Sequence, residues 1–232
     1  MYEKRFDGRD ANETRKIEAK VGVVPRADGS ALFAFGNTKA IAAVYGPKEM
    51  HPRHLENPQV GLLRCHYNML SFSVDERKRP GLDRRSSEIS FITTAALNPV
   101  LQLTNFPNTV IDIYIEILQA DASTRCAGIN AASMALAHAG IPMTDLVASV
   151  SVGKVGDSIV VDLTKEEEDF EEDGEKKATD IPIAMLLKCG KISLLQTDGK
   201  IPPDDLKKAI DIACKACIKI GEAQKKALKE VE

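Results

Sequence analysis

In Asp121-Ala122-Ser123-Thr124-Arg125, two hydroxyls and a guanidinium stand between a strand pattern and a helical one. N–H groups freed at a helix start, joined by hydroxyls and a guanidinium, make an anion site of the kind that holds phosphate. An ordinary N-cap by Ser123 or Thr124 is the competing reading, and the segment alone leaves both open. A second basic group, Arg77-Lys78-Arg79 with Arg84 and Arg85, is only partly offset by Asp75, Glu76 and Asp83. Such charges are by default a solvated loop, but the residual positive surface also suits a phosphate or a nucleic-acid backbone. His51-Pro52-Arg53-His54 adds a short basic loop whose histidines fit backbone contacts better than acid–base work.

Asp180 follows a charged loop and precedes the apolar run Ile181-Pro182-Ile183-Ala184-Met185, which places it at the entrance of a strand. A carboxylate there can bind a divalent cation or protonate a leaving oxygen, both recurrent tasks in phosphoryl transfer. The loop itself, Lys165 to Lys177, crowds eight acids into thirteen residues and reads as solvated and mobile. No P-loop, GxGxxG, paired-cysteine zinc signature or GxSxG elbow competes with these candidates. Cys214 and Cys217 form a lone CxxC, but Cys217 falls on an apolar helical stripe with Leu206, Ile210, Ala213 and Ile220, so core packing is favoured over a metal.

These residues need elements to position them. Strand patterns run over Lys16 to Val24, Ala40 to Tyr45, Leu62 to Val74 and Val110 to Gln119, with turns at Ala27-Asp28-Gly29-Ser30 and Gly36-Asn37-Thr38; Gly46-Pro47 is expected to end the second strand. Helical spacing covers Ser86 to Leu103, interrupted at Pro99, and Ile129 to Ala139, stopped by Gly140. Hairpins are expected at Gly156-Asp157 and Cys189-Gly190, and Pro202-Pro203 launches a long terminal helix. The order implies one α+β domain over residues 1–232, built of two similar halves that meet near residues 143–147.

Composition bounds the rest. With 232 residues, 44% of them apolar, the chain can bury a sizeable core, and its net charge of −3 argues against gripping nucleic acid through the overall field. Any such contact must be a local patch. No apolar run suits a membrane and the start is charged, so a soluble cytoplasmic protein with five reduced cysteines is expected.

Several of these segments, in order, resemble the RNase PH family: Arg5-Phe6-Asp7-Gly8-Arg9, Ala27 to Ala31, Gly36 to Ala40, Tyr45-Gly46-Pro47, Arg84-Arg85 with Glu88-Ile89-Ser90, Glu116 to Asp121 with Arg125, and Ala139 to Met143. Lys48 to Leu55 and Asp75-Glu76-Arg77-Lys78 are similar to the family's active archaeal exosome branch. The resemblance implies two βαβα lobes with mixed sheets and a long C-terminal helix. It also implies phosphorolytic trimming of single-stranded RNA from its 3′ end, in a hexameric ring that alternates with an inactive paralogue under RNA-binding cap proteins.

By the same resemblance, the phosphate site falls on Arg85, Ser123, Thr124 and Arg125, and RNA contacts on Arg53, His54, Arg77, Lys78, Arg79 and Arg84. Asp180 matches the second of two catalytic aspartates. The first lies in the lengthened acidic loop, where Asp169 is preferred and Asp173 retained. Inorganic phosphate is the implied co-substrate, and a divalent cation, magnesium or manganese, would be held by Asp180 and Asp169. A stand-alone RNase PH trimming tRNA ends and a non-catalytic RNA-binding ring scaffold are the alternatives. A small-molecule kinase would need the glycine-rich phosphate loop that is missing.

Overall fold

The computed structural model describes residues 4–76, 78–81, 83–172, 175–176 and 178–230. Its first lobe holds β1 (Ile17–Val21), β2 (Gly29–Phe35), β3 (Thr38–Glu49), β4 (Leu62–Met69), α1 (Arg84–Leu97), β5 (Thr109–Gln119) and α2 (Thr124–His138). These strands form a five-stranded sheet in the order β1-β2-β3-β5-β4. Only β4 and β5 run parallel, because α1 supplies the crossover that a parallel pair requires. The second lobe holds β6 (Val147–Val155), β7 (Ser158–Val161), the single-turn α3 (Lys165–Glu168), β8 (Glu171–Glu172), β9 (Glu175–Lys176), β10 (Ala178–Leu186), β11 (Ile192–Leu195) and α4 (Pro203–Lys229). Its main sheet, β11-β10-β6-β7, is antiparallel throughout, so only the first lobe has a mixed sheet.

Helices α2 and α4 touch both sheets and form the layer between them, while α1 covers β4 at the first lobe's edge. Helix α2 is buried on almost every side, as a helix built from Ala127, Gly128, Ala131, Ala132 and Ala135 can be. That burial explains why helical spacing was legible only from Ile129 although the helix begins at Thr124: with no polar face, its first turn shows no stripe. Strand β2 approaches the end of α2 so closely that a Cβ on Gly29 would lie 2.3 Å from the Ala135 carbonyl oxygen.

Two expectations are corrected. Gly46-Pro47 does not end β3, which continues to Glu49 after its pairing with β5 shifts between Tyr45 and Lys48. The acidic loop is not simply solvated. Thr164 and Glu167 form a capping box on α3, and Glu167 is fully buried against Arg5 at 2.9 Å. Glu166, Asp169 and Glu171 are exposed as expected. Cys217 is buried on the face of α4 that carries Ala213 and Ile220, in keeping with core packing.

Candidate active site

A cavity of about 700 Å³ opens where the ends of β4 and β5, the starts of α1 and α2, and strands β6 and β10 converge. Arg85 enters from the first turn of α1, whose start Asp83 fixes by accepting from the Ser86 N–H at 2.6 Å. Ser123, Thr124 and Arg125 enter from the start of α2, and Asp180 from β10. The structure therefore brings together the whole set of phosphate candidates and the carboxylate that sequence placed near a strand entrance. Asp180 is the third residue of β10, opposite Gly153 of β6.

The ordinary-cap reading of Ser123 does not hold. Ala122 and Ser123 both adopt left-handed backbone, each at φ 53°, and Ser123 makes no side-chain cap bond to the helix. The α2 start is thus left for an anion by its own nominal cap. Tyr67, buried, donates its hydroxyl to Thr124 Oγ1 at 3.0 Å and leaves the Thr124 proton free. Arg125 donates to Gln196 Oε1, a neutral partner, and its Nε is buried with none among the described residues.

Asp180 accepts from the Ser151 hydroxyl. Burial raises its carboxyl to about 6; Ser151 and Arg125 pull it down, and Glu168 and Asp198 push it further up. A carboxyl poised there, in a cleft with Arg85 and Arg125, which form no ion pair among the described residues, has the electrostatics of a working group.

The other candidates fall into three places. Lys78 lines the cavity and also pairs with Asp83 at 3.1 Å. Arg53, His54, Arg79 and Arg84 are exposed and do not line it. Arg77 and Asp173 lie outside the described residues. Asp169 is exposed and pairs with Lys165 at 2.8 Å, while its neighbour Glu168 faces the cavity. Ser151, Gln196, Tyr67 and Glu168 were missed. Ser151 is diagonal to Asp180 across the β6–β10 register, a relation that no local motif encodes.

Residues 13–142 match the model of the 3′ exoribonuclease family, domain 1, and residues 145–216 match domain 2. The chain belongs to the 3′ exoribonuclease family. It is 51% identical over 227 residues to "Exosome complex component Rrp41" of Thermococcus kodakarensis, covering 98% of this chain and 89% of that one. The protein of the same name from Methanopyrus kandleri is also 51% identical, with 97% and 92% covered. Among solved structures, rice Rrp46 superposes with a TM-score of 0.83 at 25% identity, covering 97% of this chain and all of that one. An Archaeoglobus fulgidus exosome with RNA bound to the active site has the same fold, with a TM-score of 0.79 at 22% identity over 94% and 92% of the two chains.

Proposed function

We propose that this chain is the catalytic ring subunit of an archaeal-type RNA exosome, a phosphate-dependent 3′-to-5′ exoribonuclease that releases nucleoside diphosphates. One observation carries the proposal: a single cavity sets Arg85, Arg125 and the uncapped start of α2 opposite Asp180. Phosphate held by the two arginines, the α2 N–H groups and the Thr124 hydroxyl is aligned with the terminal phosphodiester. A phosphate oxygen bonds to the terminal phosphorus as the bond to the 3′ oxygen of the preceding nucleotide breaks. That oxygen takes a proton, and the last nucleotide leaves as its diphosphate. Asp180, titrating near 6, can deliver the proton to that oxygen.

Two carboxylates lining the cavity with the phosphate candidates suit a magnesium or manganese ion, and Asp180 and Glu168 would hold it. Glu168 takes the place that the family resemblance gives Asp169, because Asp169 pairs with Lys165 at the surface. The ion would stabilise charge on the leaving oxygen.

Activity on single-stranded RNA is proposed to need the hexameric ring with an inactive paralogue and the RNA-binding caps. With a net charge of −3, the chain offers only local positive surface. Phe72 and Phe91, 74% and 76% exposed, suit burial in such an assembly. No helix among the described residues is long and apolar enough to cross a membrane, and a cytoplasmic location is part of the proposal.

The test is digestion of an unstructured RNA by the assembled complex at varied phosphate, with products separated by chromatography. Nucleoside diphosphates are expected, and Arg125→Ala should raise the phosphate KM about tenfold or more by removing a charge-assisted contact. Monophosphate products with no phosphate requirement would sink the proposal.

A further inference from the structure

The Arg5-Phe6-Asp7-Gly8-Arg9 segment and Arg15 lie outside the cavity, yet both converge on Asp162, the residue that follows β7. Asp162 is fully buried and also lies outside the cavity lining. Arg15 grips its carboxylate at 2.6 and 2.9 Å through the guanidinium and at 2.8 Å through its backbone N–H. Arg5 and Arg9 donate to its carbonyl oxygen at 2.9 and 3.0 Å.

From this anchor, contacts reach both halves of the site. The Ser123 hydroxyl donates to Asp162 Oδ1 at 3.1 Å. An ionised carboxylate only accepts, so the proton of Ser123 is turned away from the cavity, and Ser123 can meet an anion only through its backbone N–H. On the other side, the Asp162 N–H donates to the Ser151 carbonyl at 2.7 Å, and the Ser151 hydroxyl holds Asp180.

The left-handed pair needs such an anchor. Two successive non-glycine residues at φ 53° are strained by about 1–3 kcal/mol each and persist only where the surroundings over-determine them. The Thr38 hydroxyl lies 2.8 Å from the carbonyl oxygens of both Asp121 and Ala122, with one proton shared between them, and Arg15 donates to the Asp121 carbonyl at 2.5 Å. The side chain of Ser123 itself is fixed through Asp162, with a longer approach to the Leu163 carbonyl at 3.5 Å.

We propose that Asp162, clamped by Arg15, is a positioning residue for phosphate: it holds Ser123 in the left-handed turn that opens the start of α2 to the anion. This rests on the phosphate reading of the cavity given above. In Asp162→Asn, an amide N–H₂ replaces one of two oxygens that both accept from Arg15, so it faces an Arg15 donor whichever way it turns and the grip that holds Ser123 in place is loosened. In Ser123→Ala the clamp stays and its grip on the turn is lost.

The experiment measures phosphorolysis of an unstructured RNA by the assembled complex against phosphate and against RNA, for Asp162→Asn, Ser123→Ala, the double variant and Arg125→Ala. Asp162→Asn and Ser123→Ala should each raise the phosphate KM about tenfold, the usual scale for losing a group that orients a ligand-binding residue, with the RNA KM unchanged. The double variant should be no worse than either single one, because both remove the same link. If Asp162→Asn prevents assembly, Arg15→Lys keeps the charge, loses the forked grip and should raise the phosphate KM to a smaller degree.

A fall in kcat matching lost folded protein, with the phosphate KM unchanged, would overturn the clamp. So would additive effects in the double variant. If Arg125→Ala also leaves the phosphate KM unchanged, the phosphate reading fails and the clamp with it; if only Arg125→Ala raises it, the clamp alone fails.

Discussion

Asp112 and Asp180 are both carboxylates recessed on strands, one in each lobe, yet they titrate in opposite directions. Burial pushes Asp112 up, but Arg64 at 2.6 and 3.0 Å and Lys48 at 2.8 Å outweigh it and hold the carboxyl below its ordinary value. Burial also pushes Asp180 up, to about 6, and there the closest partner is the neutral Ser151 hydroxyl. Arg125, the cation nearest in role, is directed to Gln196 instead. The first cluster is neutralised within the chain. The second keeps a carboxyl and cations apart in one cavity, an arrangement that lowers stability and leaves both for a ligand.

The sharpest way to break the comparison is Asp180→Asn, which should cut phosphorolysis about a hundredfold or more while RNA binding persists. The same variant should be more stable than the parent at neutral pH. The folded Asp180 titrates near 6 and the unfolded one near 3.8, so the folded state holds the proton to higher pH. Its contribution to stability is therefore complete below about pH 4 and lost as pH climbs through about 6, a difference of about 3 kcal/mol. Melting temperatures at pH 7.5 and pH 4 check this: the advantage of Asp180→Asn should be present at the first and gone at the second. Equal melting at both would mean that burial does not strain Asp180.

Asp112→Asn should do the reverse, since it leaves Arg64 and Lys48 without their shared partner. A loss of about 2 kcal/mol in chemical denaturation is expected, with the phosphate KM unaltered. A changed phosphate KM would join the two clusters and remove the contrast.

The narrowest contrast lies within the acidic loop, where Glu168→Gln should lower activity by removing one of the two carboxylates proposed for the ion and Asp169→Asn should have the smallest effect of all. Glu168 raises Asp180, so Glu168→Gln should shift the Asp180-dependent limb of the kcat–pH profile to lower pH. Asp169→Asn should leave that limb in place, because Asp169 pairs with Lys165 at the surface. The opposite pattern would return the second carboxylate to Asp169.

Local patterns carried much of this. Val110 to Gln119 alternates Ile111, Ile113, Ile115 and Ile117 on one face, and the structure buries all four in β5. Asp121 to Arg125 stands at a strand end and a helix start in both, because hydroxyl-rich punctuation between two periodicities is a property of adjacent residues. Arg85 and Arg125, 40 positions apart in sequence, could be paired only through the family resemblance. The acidic loop misled because composition counts charges without their partners: Glu167 looks like its exposed neighbours until Arg5, 162 residues away, is folded against it.

The sequence by itself determined the α+β order of elements, since that is set by residue type and short-range spacing; it offered the α2 start as an anion site or an ordinary cap, and Asp180 as a candidate chiefly through the family resemblance. Only the tertiary structure decided that Ser123 is anchored rather than capping, that Glu168 and not Asp169 faces the cavity, and that Ser151, Gln196 and Asp162 are hydrogen-bonded to Asp180, Arg125 and Ser123. The physical reason is that burial and hydrogen-bond direction depend on groups brought close by sheet register and lobe packing. A carboxylate's charge is written in its residue type, and whether that charge is neutralised depends on what the fold places within about 3 Å of it.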